Sequence, residues 1–262
     1  MIIAKKSLGQ NFLIDQNIIE KITNIIKIKN KNILEIGPGT GNLTASILNK
    51  KPKKLIVIEK DNELVNLLEK KFTNKIKIIN KDILKIDENF LDKEELTVFG
   101  NLPYNISTEI LSKWILNLNK ENLWFNYLIL MFQKEVADRI ISKYNSKNYG
   151  RLTILTNWKL NVKKIIDIKP SSFSPRPKIE SSVLFFKPKE NIYKLNNSKS
   201  LEKITRIFFM HRRKMIKKPY HQLFNGNNQV SSKHKIDLKL RPQNLNYDTY
   251  LKLADEYEKL IG

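Results

Sequence analysis

Apolar residues in the first two thirds of the chain fall into short, nearly unbroken runs with amphipathic stretches between them. "KNILEIG" (31–37), "KLIVIEK" (54–60), "IKIINKD" (76–82), "LTVFGN" (96–101) and "YLILMFQ" (127–133) read as strands. An unbroken apolar strand belongs in a sheet covered on both faces, because a sheet with one wet face alternates apolar and polar positions. Between these runs, 42–50, 61–71, 107–118 and 134–143 carry helical patterns. Strands alternating with helices predict a parallel α/β sheet. "RLTILTNWKL" (151–160) and "SSVLFFKP" (181–188) read as later strands of the same unit. Past them the pattern changes: "ENIYKLNNSKS" is polar and reads as a linker, and helical segments follow to the end. The expected organisation is an α/β domain over 1–188 and a small helical domain over 189–262, with no internal repeat.

Composition narrows the picture. With 262 residues and 41% hydrophobic content, the chain can fill one full-size core and a small second one. It has no run of eighteen apolar residues, so no membrane span is expected. Its first residues, "MIIAKKSLGQNFLID", lack the basic and apolar regions of a secretory signal, and a cytoplasmic location is expected. The lack of cysteine excludes disulfides, thiolate metal sites and thiol nucleophiles, and three scattered histidines, at 211, 221 and 234, predict no metal centre. Lys plus Arg is 48 against 26 for Asp plus Glu, a formal charge of +22. Such a cation attracts polyanions, nucleic acid above all. A genome rich in A and T also inflates Lys, Ile and Asn, so charge alone leaves the function open.

Candidate chemistry clusters at the strand ends. "LEIGPGTG" (34–41) joins the first strand to a helix, and Gly37, Gly39 and Gly41 would let the backbone turn sharply and approach a ligand. The spacing is G-x-G-x-G, not the G-x-G-x-x-G of dinucleotide binders. By itself it is also compatible with a plain tight loop. Glu59 ends the second strand about twenty residues on, where an acid in such sheets accepts hydrogen bonds from ribose hydroxyls. Asp82 ends the third. Glu35, Glu59, Asp82 and Asn101 therefore converge at carboxyl ends, where ligands of such sheets bind. No phosphate-binding P-loop sequence is present. The pattern suits an adenosine-bearing cofactor without a diphosphate clamp, and S-adenosyl-L-methionine fits.

Asn101-Leu102-Pro103-Tyr104 closes the fourth strand and resembles the N-P-P-Y type of motif found in amino-methyltransferases, in its N-L-P-Y form. An exocyclic adenine amine is a poor nucleophile because its lone pair is delocalised into the ring. Two acceptors aimed at its hydrogens favour a pyramidal nitrogen and stabilise the charge that develops on it. The Asn101 Oδ1 and the Leu102 carbonyl could be those acceptors. Pro103 would stiffen the loop, and Tyr104 could stack on the base.

The chain as a whole resembles the small-subunit ribosomal RNA adenine N6,N6-dimethyltransferases. The resemblance runs through "KKSLGQNFLID", "LEIGPGTGNLT", "VIEKD", "KDIL", "GNLPYNIST", "FQKEVADRI", "YGRL" and "FSPRPKIESS" to "RRK" (212–214) and "RPQNLNYDTYLKLADEY" (241–257). It implies a Rossmann-like class I methyltransferase sheet with a small helical C-terminal domain that binds RNA. It implies cofactor contacts at Asn11, Leu13, Gly37, Gly39, Glu59, Asp82 and Asn101. Periodicity alone would not have found Asn11 and Leu13, which read only as a polar lead-in to a helix. It places Phe173, in "KPSSFSPRP", against the target base opposite Tyr104, and it assigns Arg212, Arg213 and Lys214 to RNA. One departure is Lys169, where the family usually has a second proline before Pro170.

The implied substrate is a pair of adjacent adenines in a hairpin near the 3′ end of small-subunit rRNA, dimethylated on a pre-30S-type particle late in assembly by a monomeric enzyme. Three other readings compete with this one. The first is a resistance-type enzyme acting on large-subunit rRNA, which more often carries Ile after the Asn. The second is an RNA-binding assembly factor without activity, which the intact Asn101–Tyr104 motif and Glu59 weigh against. The third is a DNA adenine methyltransferase, which usually needs a larger target-recognition domain.

Overall fold

A computed structural model describes residues 4–5, 8–86, 95–118 and 123–261. Lys6 and Ser7 of the leading motif lie outside the described residues. The first half of the chain alternates strand and helix as β1 (Phe12–Leu13), α1 (Gln16–Thr23), β2 (Asn32–Ile36), α2 (Asn42–Asn49), β3 (Lys54–Glu59), α3 (Asn62–Lys71), β4 (Lys77–Asn80), β5 (Leu96–Asn101) and α4 (Ser107–Asn117). Then come β6 (Phe125–Gln133), α5 (Lys134–Ile140), α6 (Arg151–Lys159), β7 (Leu160–Ile168), β8 (Phe173–Ser174) and β9 (Ser181–Pro188). Helices α7 (Ser198–Met210), α8 (Lys217–Leu223), α9 (Gln229–Lys233) and α10 (Tyr247–Ile261) follow.

Helix starts are set by short polar side chains that satisfy otherwise unpaired backbone donors. Asp15 caps α1 by accepting from the amides of Asn17 and Ile18, and Asp61 caps α3 by accepting from Glu63. The main sheet has the order β4-β3-β2-β5-β6-β9-β7. The pairs β4–β3, β3–β2, β2–β5 and β5–β6 are parallel, and β6–β9 is antiparallel. Successive strands run outward from β2 through β3 to β4, and the chain then returns to lay β5 on the other side of β2. That reversal opens a crevice at the carboxyl ends of β2 and β5. Ile33, Val57, Phe99 and Ile129, one from each of β2, β3, β5 and β6, are fully or almost fully buried in one cluster with Ile19 and Ile22 of α1. Burying each such side chain stabilises the fold by roughly 1.5–3 kcal/mol, which holds the crevice walls in place.

One predicted strand is corrected. Residues 151–159 form helix α6, not a strand. The Gly150 amide is held by Thr153 Oγ1 at 3.2 Å and its carbonyl receives the Ile154 amide, which starts a helical turn. Thr153, Ile154, Leu155, Thr156 and Trp158 are all buried, so α6 is covered on most of its circumference and shows no amphipathic period. The strand in this region is β7, which begins at Leu160.

The chain divides into two compact units. One comprises 1–111, 118–137 and 162–188, and the other comprises 112–117, 138–161 and 189–262. The second unit thus takes in segments well before residue 189, including α6, and is not a C-terminal tail alone. In it, Phe208 and Phe209 of α7 pack against Tyr250 of α10, at ring centroid distances of 5.9 and 5.8 Å.

Candidate active site

The crevice at the strand ends of the first unit is a cavity of about 190 Å3. Asn11, Gly37, Gly39, Glu59, Asp82 and the run Asn101–Tyr104 all line it. The glycine turn is built as its spacing implied. Gly37, Gly39 and Gly41 have φ of 66°, 56° and 80°, in the left-handed region that side chains disfavour. At Gly39 a Cβ would lie 2.7 Å from the Phe12 ring, so the turn and the N-terminal segment can meet only over glycine.

Two carboxylates line the same cavity. Glu59 is buried, and burial pushes its carboxyl above the usual range, although the amides of Asp61, Gly39 and Lys60 oppose the shift. Its Oε1 accepts from Lys60 and Asp61 at 2.9 and 3.0 Å, whereas among the described residues Oε2 has only a long bond from Gly39, at 3.4 Å. The second oxygen is therefore placed to take a hydroxyl donor. Asp82 is held below the usual carboxylate range by the Lys60 ammonium, which bonds its Oδ2 at 2.8 Å, while Oδ1 accepts from the Leu84 amide. Ile36, Ile58, Ile83 and Leu84 supply apolar walls. Hydroxyl acceptors beside an apolar slot and a glycine cradle suit a nucleoside with a small polar tail.

Asn101 ends β5 level with Met131 of β6, at the lip of the cavity. Its Nδ2 donates to the Asn11 carbonyl at 2.8 Å. A carbonyl can only accept, so this bond fixes which end of the amide faces which way and turns Oδ1 away from Asn11. Leu102 is almost fully buried and anchors the loop. The Pro103 carbonyl accepts from the Ile106 amide at 3.1 Å, closing a turn that holds Tyr104 at the rim. The Tyr104 hydroxyl bonds Ser181 Oγ at 2.5 Å, and burial raises its pKa although that bond opposes the rise, so the phenol stays protonated.

The polar lead-in before α1 does more than its sequence suggested. Leu8 to Phe12 line the cavity. Lys5 bonds Asp61 at 2.8 Å and Glu63 at 3.0 Å, and Gln10 Nε2 donates to Asp61 at 2.9 Å. Asp61, two residues past Glu59, thus ties the N-terminal segment beside the site. The roles of Lys5, Gln10, Phe12 and Asp61 leave no local sequence pattern, because each works through a partner far away in the chain. The adjacency of Asp61 to Glu59 was the one available signal.

Two residues assigned by resemblance are placed elsewhere. Leu13 is buried beside the cavity, lining a small recess with Glu35 and Asn42, and its carbonyl accepts from Asn42 Nδ2 at 2.9 Å. Phe173 does not line the cavity. Its backbone pairs with Leu13 in the two-stranded β1–β8 ribbon, and its ring is only 1% exposed, in the core with Ile19 and Ile168. In this structure the ring fills that core, where an aromatic side chain gains more than by standing in solvent. Arg212, Arg213 and Lys214 lie in the second unit, on the turn between α7 and α8. Arg213 and Lys214 are exposed, and Arg212 donates to the Lys147 carbonyl.

Comparison with known proteins gives a consistent result. Residues 2–259 match the family model for the ribosomal RNA adenine dimethylases. A ribosomal RNA small subunit methyltransferase A from Pelagibacter ubique (strain HTCC1062) is 66% identical, over 99% of this chain and 98% of its own. The crystal structure of a dimethyladenosine transferase from Plasmodium falciparum superposes with a TM-score of 0.77 at 28% identity, over 95% of this chain and 98% of its own. The 23S rRNA methyltransferase ErmE shares the fold, with a TM-score of 0.67 at 19% identity, over 95% of this chain and all of its own.

Proposed function

The chain belongs to the ribosomal RNA adenine dimethylase family, and on that premise we propose that it places two methyl groups on each of two adjacent adenines in a hairpin near the 3′ end of small-subunit rRNA. It is an S-adenosylmethionine-dependent methyltransferase of ribosomal RNA adenine. The observation that carries the amine-methylation reading is the fixed amide of Asn101, whose Oδ1 is left to accept at the lip of the cavity.

The residues of the cavity divide the work. Glu59 Oε2 would accept from the ribose, Asp82 and the slot formed by Ile58, Ile83 and Leu84 would take the adenine, and the Gly37–Gly39 turn would let the tail approach the backbone. Bound there, S-adenosyl-L-methionine supplies a methyl group already activated by its sulfonium. Asn101 Oδ1 and the Leu102 carbonyl accept from the amine of the target adenine and stabilise positive charge as it develops on that nitrogen. Pro103 keeps the carbonyl in place, and the Tyr104 face stacks on the base. Such stacking is worth roughly 1–3 kcal/mol and offsets the cost of unstacking a loop nucleotide. No strong general base is required, and much of the rate comes from holding amine and methyl in line.

The proposed partner is a pre-30S-type particle, met by a monomer in the cytoplasm during late small-subunit assembly. The second unit, with Arg213 and Lys214 exposed on its surface, is proposed to grip the RNA backbone. The small-subunit choice draws support from the 66% identity to a small-subunit methyltransferase, against 19% to a large-subunit enzyme with the same fold. The deciding experiment offers labelled S-adenosylmethionine with undermethylated small subunits, large subunits and duplex DNA side by side, followed by nucleoside mass spectrometry. Dimethyladenosine confined to small-subunit RNA is the expected result. Label in large-subunit RNA would overturn the choice of subunit, and tight subunit binding without transfer would make the protein an assembly factor.

A further inference from the structure

We propose that Ser181 is a positioning residue for methyl transfer: its hydroxyl pins the Tyr104 ring in the place at the rim where it receives the target adenine. The inference rests on the reading of Tyr104 as the stacking face given above. Tyr104 Oη and Ser181 Oγ lie 2.5 Å apart, and Ser181 is fully buried. A phenylalanine ring at the rim could turn about its side-chain bonds. A tyrosine bonded at its para oxygen cannot swing about its Cα–Cβ bond without breaking that bond, so the position of the ring at the rim is fixed before the base arrives. Fixing it beforehand removes part of the ordering cost of binding.

Sheet topology explains why a serine so late in the chain reaches the site. Strand β9 runs antiparallel to β6, and Ser181, its first residue, pairs with Gln133, the last of β6. Asn101 is level with Met131. Ser181 therefore sits two residues beyond Asn101 along the strand direction, at the same rim. A parallel strand in that place would have brought its far end there. Neighbouring bonds hold the serine still. Successive side chains in a strand point to opposite faces, and Ser182 donates away from the site, to Asp167 at 2.6 Å. Glu180 is bonded by Lys134 at 2.5 Å, and the Lys134 amide donates to the Glu180 carbonyl. The half-buried Tyr104 phenol is engaged by Ser181, and burial raises its pKa, which suits a positional group.

The test is a double-mutant cycle on the full-length protein: wild type, Ser181→Ala, Tyr104→Phe and the pair, assayed for transfer to undermethylated small subunits, with cofactor affinity measured by calorimetry. Each single change removes the same hydrogen bond, so each should lower kcat/KM by about threefold to tenfold. The pair should fall no further than either alone, cofactor affinity should hold, and Ser181→Thr should restore activity. Losses that multiply in the pair, or a fall in cofactor affinity in Ser181→Ala, would overturn the pin and leave the assigned reaction standing. If Ser181→Ala does not fold, Tyr104→Phe at wild-type activity overturns the proposal by itself. A wild type that transfers nothing to any RNA overturns the reaction, and the positioning role with it.

Discussion

The side-chain amide of Asn101 donates to the backbone carbonyl of Asn11 at 2.8 Å, across 90 positions of sequence. One bond therefore does two things: it orients the acceptor oxygen of Asn101 and ties the N-terminal segment to the strand end that carries the reaction.

Asn101→Ala removes both the acceptor and the tie. Loss of a preorganised acceptor of developing charge should lower kcat by at least about a hundredfold. The cofactor should lose only what one neutral hydrogen bond contributes, less than about tenfold in Kd. Single-turnover transfer and calorimetry on the same preparation separate the two. A variant that transfers at the wild-type rate would remove Asn101 from the reaction.

Glu35 carries a proton into the neutral range. It is 1% exposed under the glycine turn, and burial pushes its carboxyl up to about 8, with the nearby Glu59 charge adding to the rise and a bond from Thr44 opposing it. The folded state therefore holds this proton over a pH range in which the unfolded chain, near 4.5, has released it. By linkage, the stability this group confers is complete below about pH 4.5 and is lost as pH rises through about 8. Glu35→Gln keeps an acceptor for Thr44 and removes the titration. Thermal unfolding should show the variant and wild type close at pH 5 and the variant melting higher at pH 9, on the order of 3 °C for each kcal/mol recovered. Curves that stay parallel from pH 5 to 9 would mean Glu35 is ionised throughout.

The five early strands were plain because "LIVI" and "LILMF" are apolar without a break, and only a doubly covered sheet asks for that. The acids and Asn101 were legible because they stand at the ends of those runs. Helix α6 reads as a strand in the sequence because Ile154, Leu155 and Trp158 are buried along with the threonines beside them, which erases the helical period. Strand β7 was hidden by the adjacent Lys163 and Lys164, which break its alternation. The latch of Lys5 and Gln10 to Asp61 and the bond of Ser181 to Tyr104 span 56, 51 and 77 positions. Polar pairs of that separation leave no local pattern, and only the folded sheet brings them together.

Phe173 separates a core role from a base-contacting one. Emptying a core site of a phenylalanine costs about 3–5 kcal/mol, so Phe173→Ala should unfold at markedly lower denaturant. Phe173→Leu keeps an apolar filler and should cost roughly 1 kcal/mol. Its affinity for the small subunit should be close to wild type if the ring stays in the core as seen here. A Phe173→Leu protein of near-normal stability that loses RNA affinity would show that the ring swings out to the base.

The basic turn of the second unit gives a quantitative salt test. Each phosphate neutralised contributes about 0.7 to 0.9 to the slope of log K against log salt, with the lower value for single strands. Arg213 and Lys214 are exposed, while Arg212 is already bonded to the Lys147 carbonyl. Replacing Arg213 and Lys214 with Ala should therefore weaken small-subunit binding and flatten the slope by about 1.5. Arg212→Ala should change the slope less, because its guanidinium also holds the turn. Binding measured between low and physiological salt decides the matter: an unchanged slope in the double variant would remove this turn from the RNA footprint.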